Sequence, residues 1–324
     1  MIRTWILQMP VCIALVSAFA AGPAMAQQAY PSRAITVIVP YGPGTGIDLV
    51  ARILTEKLGE DYKQGLIVKN LPGASGNIGA EAAASAAADG YTIMLIANSH
   101  FLNQYLGKNV RDALKDFAPV APVGTLPYLF GVPSNFPAKS IQDVVAIAKA
   151  RPGTINFAAI PSGVAHFLGV MLKTAGDIDI RMVSYKSTTD AIPDVMSERV
   201  PLWFTTLPSA VSFVTSGRIR ALGVSGSRRS PLLPDVPTMT EAGFPQMDLG
   251  AITYVVAPVG TPTAIISKLN TDISRAKENK DVITKLHGQG LDVTPGTPAQ
   301  LAESMRAEWV KWGIIVKASG LKPE

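Results

Sequence analysis

The sequence predicts an α/β fold built from two halves, and three observations predict it. Short apolar runs rich in β-branched residues alternate with segments whose apolar residues recur every three or four positions. These are the periods of strand and helix. The alternation breaks between about residues 117 and 133, where Pro119, Pro122, Pro127 and Pro133 punctuate apolar segments, and then resumes. A last apolar strand, residues 251–257, returns after the second set, so the chain is read as crossing twice between its halves, with a hinge there. A chain of 324 residues also exceeds what a single core ordinarily organises.

The first strand is residues 34–39. A glycine-rich turn, residues 40–46, leads from it into a helix whose apolar face is Ile47, Val50, Leu54 and Leu58. Glycines let the backbone take positive φ and let a ligand approach, and the unpartnered N–H groups of a helix start favour an anion. The turn is therefore read as a main-chain anion site. Gly42, Gly44 and Gly46 do not form the dinucleotide fingerprint, and no Gly-Lys-Ser/Thr follows, so no nucleotide is implied. Residues 66–68 form a second strand, Asn77 caps an alanine-rich helix over 78–87, and 92–97 form a third strand. Such alternation argues for a parallel sheet covered by helices, with all strand-to-helix turns on one edge. Ser99, just past the third strand, then shares an edge with the first turn.

In the second half, Ser140 caps a helix over 141–150, residues 155–159 form a strand, and Ser162 and Gly163 turn into a helix over 164–174. Strands follow at 181–185, 202–204 and 219–224, with a short helix at 191–196. After the returning strand, Pro262 starts a helix at its favoured first position, 291–293 form a short strand, and 298–318 a final helix.

Residues 1–26 read as a secretory signal: Arg3, a mostly apolar stretch, then Ala24, Met25 and Ala26 as a cleavage box. A membrane anchor is the alternative, but Gln8 and Pro10 interrupt the run and it is short for a span. Cys12, the only cysteine, would leave with the signal, so no disulfide, thiol nucleophile or cysteine metal site is expected. Twenty-nine lysines and arginines against 24 acids, spread along the chain, are no nucleic-acid footprint.

His100, His166 and His287 have no metal spacing, and no metal or cofactor motif occurs. Ser162 with His166 could serve an exported hydrolase, but the G-x-S-x-G elbow is missing. Tyr185-Lys186 could be an oxidoreductase pair, yet no cofactor motif accompanies it. The stronger theme is repetition: Ser162, Gly163, Val164 and Ala165 make a second small-residue helix start after a strand, and Thr205 and Thr206 a hydroxyl pair after another. Facing halves would bring these onto one cleft, where main-chain and hydroxyl donors hold a carboxylate without arginine.

In this order and spacing, residues 40–52, 70–80, 88–92, 166–169, 185–186, 217–222, 233–238, 241–245 and 257–262 resemble the Bug family, the periplasmic solute receptors of tripartite tricarboxylate transporters, across essentially all of the chain after the signal. The resemblance implies a two-domain periplasmic-binding-protein (Venus flytrap) fold, each domain a mixed, mostly parallel sheet flanked by helices. It implies a non-enzymatic monomer that closes on a carboxylate and hands it to membrane permease subunits. The expected domains are 27–123 plus 251–324, and 124–250, with hinge strands near 121–133 and 248–258. Expected ligand residues are Tyr41, Gly44, Thr45, Asp48, Ser99, Ser162, Gly163, Ala165, His166 and Thr205. Asp48 would repel a bound anion, so it is expected to face helix N–H groups or a water; whether Asp48 and His166 touch ligand or only hold the loops stays open. There are departures. Thr45 replaces the second glycine of a usual pair, Ser162-Gly163 inverts Gly-Ser, Ser187 ends the usual Tyr-Lys-Gly, and Ile252 stands where tryptophan is common. Thr205 stands where many members carry an aspartate suited to an ammonium, so a mono- or dicarboxylate without an amino group is expected. A ligand sensor docking on a receptor kinase fits the same sequence.

Overall fold

A computed structural model describes residues 30–319; the expected signal segment lies outside the described residues. The first half runs β1 (Ile35–Val39), α1 (Gly46–Tyr62), β2 (Leu66–Asn70), α2 (Asn77–Ala84), β3 (Thr92–Ala97) and α3 (Ser99–Leu106). A 17-residue strand, β4 (Phe117–Pro133), follows. The second half is α4 (Ile141–Ala150), β5 (Ile155–Ala159), α5 (Val164–Gly176), β6 (Ile180–Ser184), α6 (Ile192–Met196), β7 (Leu202–Thr206), α7 (Leu207–Thr215) and β8 (Ile219–Val224). The chain returns through β9 (Gly250–Pro258), α8 (Thr263–Glu278), α9 (Lys280–Gly288), β10 (Asp292–Val293) and α10 (Pro298–Ser319).

The strand order is β2-β1-β3-β9-β4-β7-β5-β6, with β8 and β10 also paired to β4. Parallel pairing, expected from the alternation, holds for β2-β1-β3 and for β6-β5-β7. Around β4 and β9 the pairing is antiparallel. Each parallel set puts its first strand between the next two, so each has a switch point where neighbouring crossovers diverge. In open α/β sheets that crevice, past the carboxyl ends of the strands, is where ligands bind. Here the crevices lie past β1 and β3 in one half and past β5 and β7 in the other.

The long β4 joins the halves. Phe117–Pro127 pairs with β9, and from Tyr128 onward the partners are β7 and β8. Pro119 and Pro122 are tolerated because the register slips between Pro119 and Ala121 and between Pro122 and Gly124, and a bulge needs no ladder N–H. The proline-punctuated stretch is therefore one bulged strand and not several.

Side-chain capping fixes the starts of α4 and α9. Ser140 Oγ accepts from Asp143 N–H at 3.1 Å while the Asp143 carboxylate accepts from Ser140 N–H at 2.9 Å, a capping box. Asn77 is not the cap expected of it: Gly76, at φ +93°, takes that position, and Asn77 Oδ1 accepts from Arg111 N–H at 3.1 Å. Helix α2 ends at Ala84, short of residue 87, and Pro262 caps α8 from outside its first turn. The core buries Val37, Ile93, Leu95 and Val256 on one side and Phe157, Phe167 and Phe204 on the other. Phe130 of β4 stacks on Phe204 at 4.4 Å between centroids. Among the described residues no helix is long and apolar enough to cross a membrane.

Candidate ligand-binding cleft

The two switch points face each other across a cavity of about 70 Å³, several times the 10–15 Å³ or so that one water requires. Of the residues expected to bind ligand, Tyr41, Thr45, Ser99, Gly163, Ala165 and Thr205 line it. The structure also brings Ser75, Tyr128, Val164, Lys186, Ser187, Thr188 and Thr206 to this wall.

The first loop is held from within. Gly44 has φ +75°, a conformation that favours glycine, and its N–H donates to Asp48 at 2.9 Å. The buried Asp48 carboxylate also accepts from Arg52 Nε at 3.0 Å and Asn70 Nδ2 at 2.9 Å. Burial pushes this carboxyl up, but the hydrogen bonds from Arg52, Asn70 and Gly44 outweigh it and the group settles below its ordinary value. Gly44 and Asp48 therefore lie off the cavity wall, their polar atoms committed to loop geometry. Thr45 Oγ1 likewise donates to the Gly42 carbonyl at 2.8 Å.

The expected anion grip at α1 is also occupied. Gly46 N–H donates to Thr206 Oγ1 and to Ser209 Oγ of α7, both at 3.2 Å. The first amide of this helix is thus taken up by the opposite half, while Thr45 and Ile47 on either side of it line the cavity. Ser75 hydroxyl donates to the Pro161 carbonyl, a second direct tie across the cleft. At α5 the outcome differs. Val164 and Ala165 line the cavity, and their N–H groups, in the first helical turn, have no partner among the described residues.

Ser162, at φ +56°, turns away toward an outer groove of about 610 Å³. Its N–H donates to His166 Nδ1 at 3.2 Å. The histidine thus holds the turn ahead of α5, and neither residue lines the inner cavity. A hydrolytic pair would need the serine hydroxyl, not its amide, on that nitrogen.

On the opposite wall, Tyr41 hydroxyl accepts from Ala97 N–H at 3.2 Å and pairs with Ser99 Oγ at 2.9 Å. Burial raises the Tyr41 phenol, so it stays a donor. With Tyr41 donating, the Ser99 proton is left for the cavity. Ser99 is positioned by its neighbour Asn98, which donates to Glu308 at 2.8 Å and accepts from Ile252 N–H at 3.2 Å. Thr205 Oγ1 lies 3.4 Å from Thr188 Oγ1. No acidic side chain lines the cavity among the described residues, and Lys186 contributes a cation from an exposed position at the rim.

A two-lobed sheet with facing switch points and a small cavity between them, lined in part by hydroxyl groups, defines a solute-binding protein. Its fold is the two-domain fold of the periplasmic binding proteins. The model of the tripartite tricarboxylate transporter family receptor, TctC, matches residues 50–321, and the chain belongs to that family. Among solved structures, the periplasmic binding protein BugD is 27% identical with a TM-score of 0.86, covering 91% of this chain and all of that one (100%). Rpa4515 of R. palustris, solved with adipate, is 30% identical with a TM-score of 0.87 over 91% of this chain and 100% of its own. MatC (Rpa3494) of Rhodopseudomonas palustris, solved with bound malate, is 30% identical with a TM-score of 0.82 over 89% and 100%.

Proposed function

We propose that this receptor captures a small organic carboxylate without an amino group in the periplasm, closing on it and passing it unchanged, as a monomer, to membrane permease subunits of a tripartite tricarboxylate transporter. The carrying observation is the pair of unpartnered amides at Val164 and Ala165 in a wall without acidic side chains. Amide donors at a helix start suit a carboxylate, and no carboxylate among the described lining residues would neutralise an ammonium. The adipate and malate bound by two similar receptors support this ligand class. The lobes are assigned as 27–123 with 251–324, and 124–250, with β4 and β9 as hinge strands; the change of β4 partners at Tyr128 supports that division.

Calorimetric titration of a panel of mono-, di- and tricarboxylates against their amino-acid analogues tests the reading. At least one carboxylate binds stoichiometrically and is recovered intact, while amino acids give no heat. Binding confined to amino acids, or turnover of any ligand, overturns it.

A further inference from the structure

Tyr128 sits where β4 leaves β9 for β7, opposite Thr206. Its backbone is fixed on both sides: its N–H donates to Ser225 Oγ at 2.7 Å and its carbonyl accepts from Ser225 N–H at 2.8 Å. The side chain is only 8% exposed and lines the cavity. Its hydroxyl has no hydrogen-bond partner among the described residues. The neighbouring phenol differs, since Tyr41 is satisfied by Ser99 and Ala97. Unlike the Tyr254 hydroxyl, which is sealed without a partner, the Tyr128 hydroxyl keeps some accessible surface in a residue that lines the cavity, so it is free to donate to what enters there. Burial, and the neighbouring Tyr41, push the Tyr128 phenol well above its ordinary value, so it remains a neutral donor at any working pH.

Resting on the carboxylate reading above, we propose that Tyr128 is a specificity-determining residue: its hydroxyl donates to an oxygen of the ligand other than the carboxylate held at the Val164 and Ala165 amides. The two contacts come from different elements, α5 for the amides and the joining strand for the phenol, so they engage different parts of one molecule. The ligand chemistry selected is a carboxylate carrying a second oxygen function, a hydroxyl, keto or second carboxyl group, over the plain alkyl acid. Because Tyr128 pairs with β7, in the same half as α5, this contact exists whether the lobes are apart or together. It adds affinity and selectivity without itself driving closure, which requires contacts made only when closed.

The test is Tyr128→Phe, which removes one atom and no packing. Wild type and variant are titrated with two matched pairs, malate with butyrate and adipate with hexanoate, each differing in oxygens beyond one carboxylate. Wild type prefers the oxygenated member of at least one pair, and the variant shrinks that preference about tenfold, the size of one hydrogen bond to a charged or strongly polar acceptor. Ligand-free variant melts no lower than wild type, because the hydroxyl it loses has no partner in the protein. An unchanged preference, or a wild type that binds both members equally, overturns the assignment while leaving carboxylate capture standing. A wild type that binds none of the four acids but binds amino acids overturns both.

Discussion

Asp48 shows how a charge near an anion site can serve the fold. It is 1% exposed, and Gly44, Arg52 and Asn70 all donate to it. Its lowered carboxyl value fixes the sign of a pH effect. A group more acidic when folded adds stability above its unfolded value, near 4, and that stability is lost as pH falls through the folded value. Asp48→Asn should therefore cost about 1.5–3 kcal/mol at neutral pH, since an amide nitrogen cannot accept from those donors. Urea melts of both proteins should show the difference narrowing below about pH 4; a constant difference would mean the carboxylate does not carry the effect. The sequence placed Asp48 in the right loop and left its role open, because partners 4 and 22 residues away are not visible in a local motif. Tyr128 carried no signal at all. A tyrosine inside an apolar, proline-rich run looks like packing until the strand is known to change partners there.

Among the elements, those with strong local rules were legible. β1, the glycine turn and α1 followed from composition and period, and α4 from its cap. Helices α3, α7 and α9 were not expected. α3 is eight residues with little period to read, and Pro208 in α7 looks like a breaker although it sits in the first turn, where no helical N–H is lost. Of the two helix starts expected to offer free amides, α1 has its first N–H engaged by Thr206 and Ser209, while α5 keeps those of Val164 and Ala165 without a partner among the described residues; whether a helix N–H is free depends on what the other half presents. α5 permits a direct test of the main-chain grip. Val164 is its first residue, and Gly163 before it is extended at φ −94°, ψ 171°, a conformation compatible with a following proline. Val164→Pro deletes one amide donor without removing a helical hydrogen bond. Far-UV circular dichroism should be unchanged and carboxylate affinity should fall about tenfold by calorimetry. Retained affinity would show that this amide does not hold the ligand.

At the scale of the whole molecule, the alternation of strand and helix and the returning segment made the two halves readable, while the antiparallel joint was not, because pairing across β4 and β9 is long-range. The facing of the halves makes the last prediction. Gly46 sits where α1 meets α7: a Cβ there would come within 2.7 Å of Thr206 Oγ1, 3.0 Å of Leu126 and 3.1 Å of Pro208. Gly42 is tighter still, with Ser187 Oγ 2.5 Å and Ser187 Cβ 2.8 Å from the added carbon. Within its own half, alanine for Gly46 is harmless or mildly stabilising, since helical glycine costs roughly 0.5–1 kcal/mol relative to alanine. The clashes with Thr206 and Pro208 are made only with the lobes together, so Gly46→Ala penalises chiefly the closed state. A penalty of about 1.4 kcal/mol lowers apparent affinity about tenfold, because ligand must then pull a rarer closed state. The ligand-free variant should melt at or above wild type, while a bound carboxylate should contract it less in small-angle scattering. Gly42→Ala should do the same from a separate contact. Wild-type affinity in both variants would mean the lobes need not meet at these glycines for the ligand to be held.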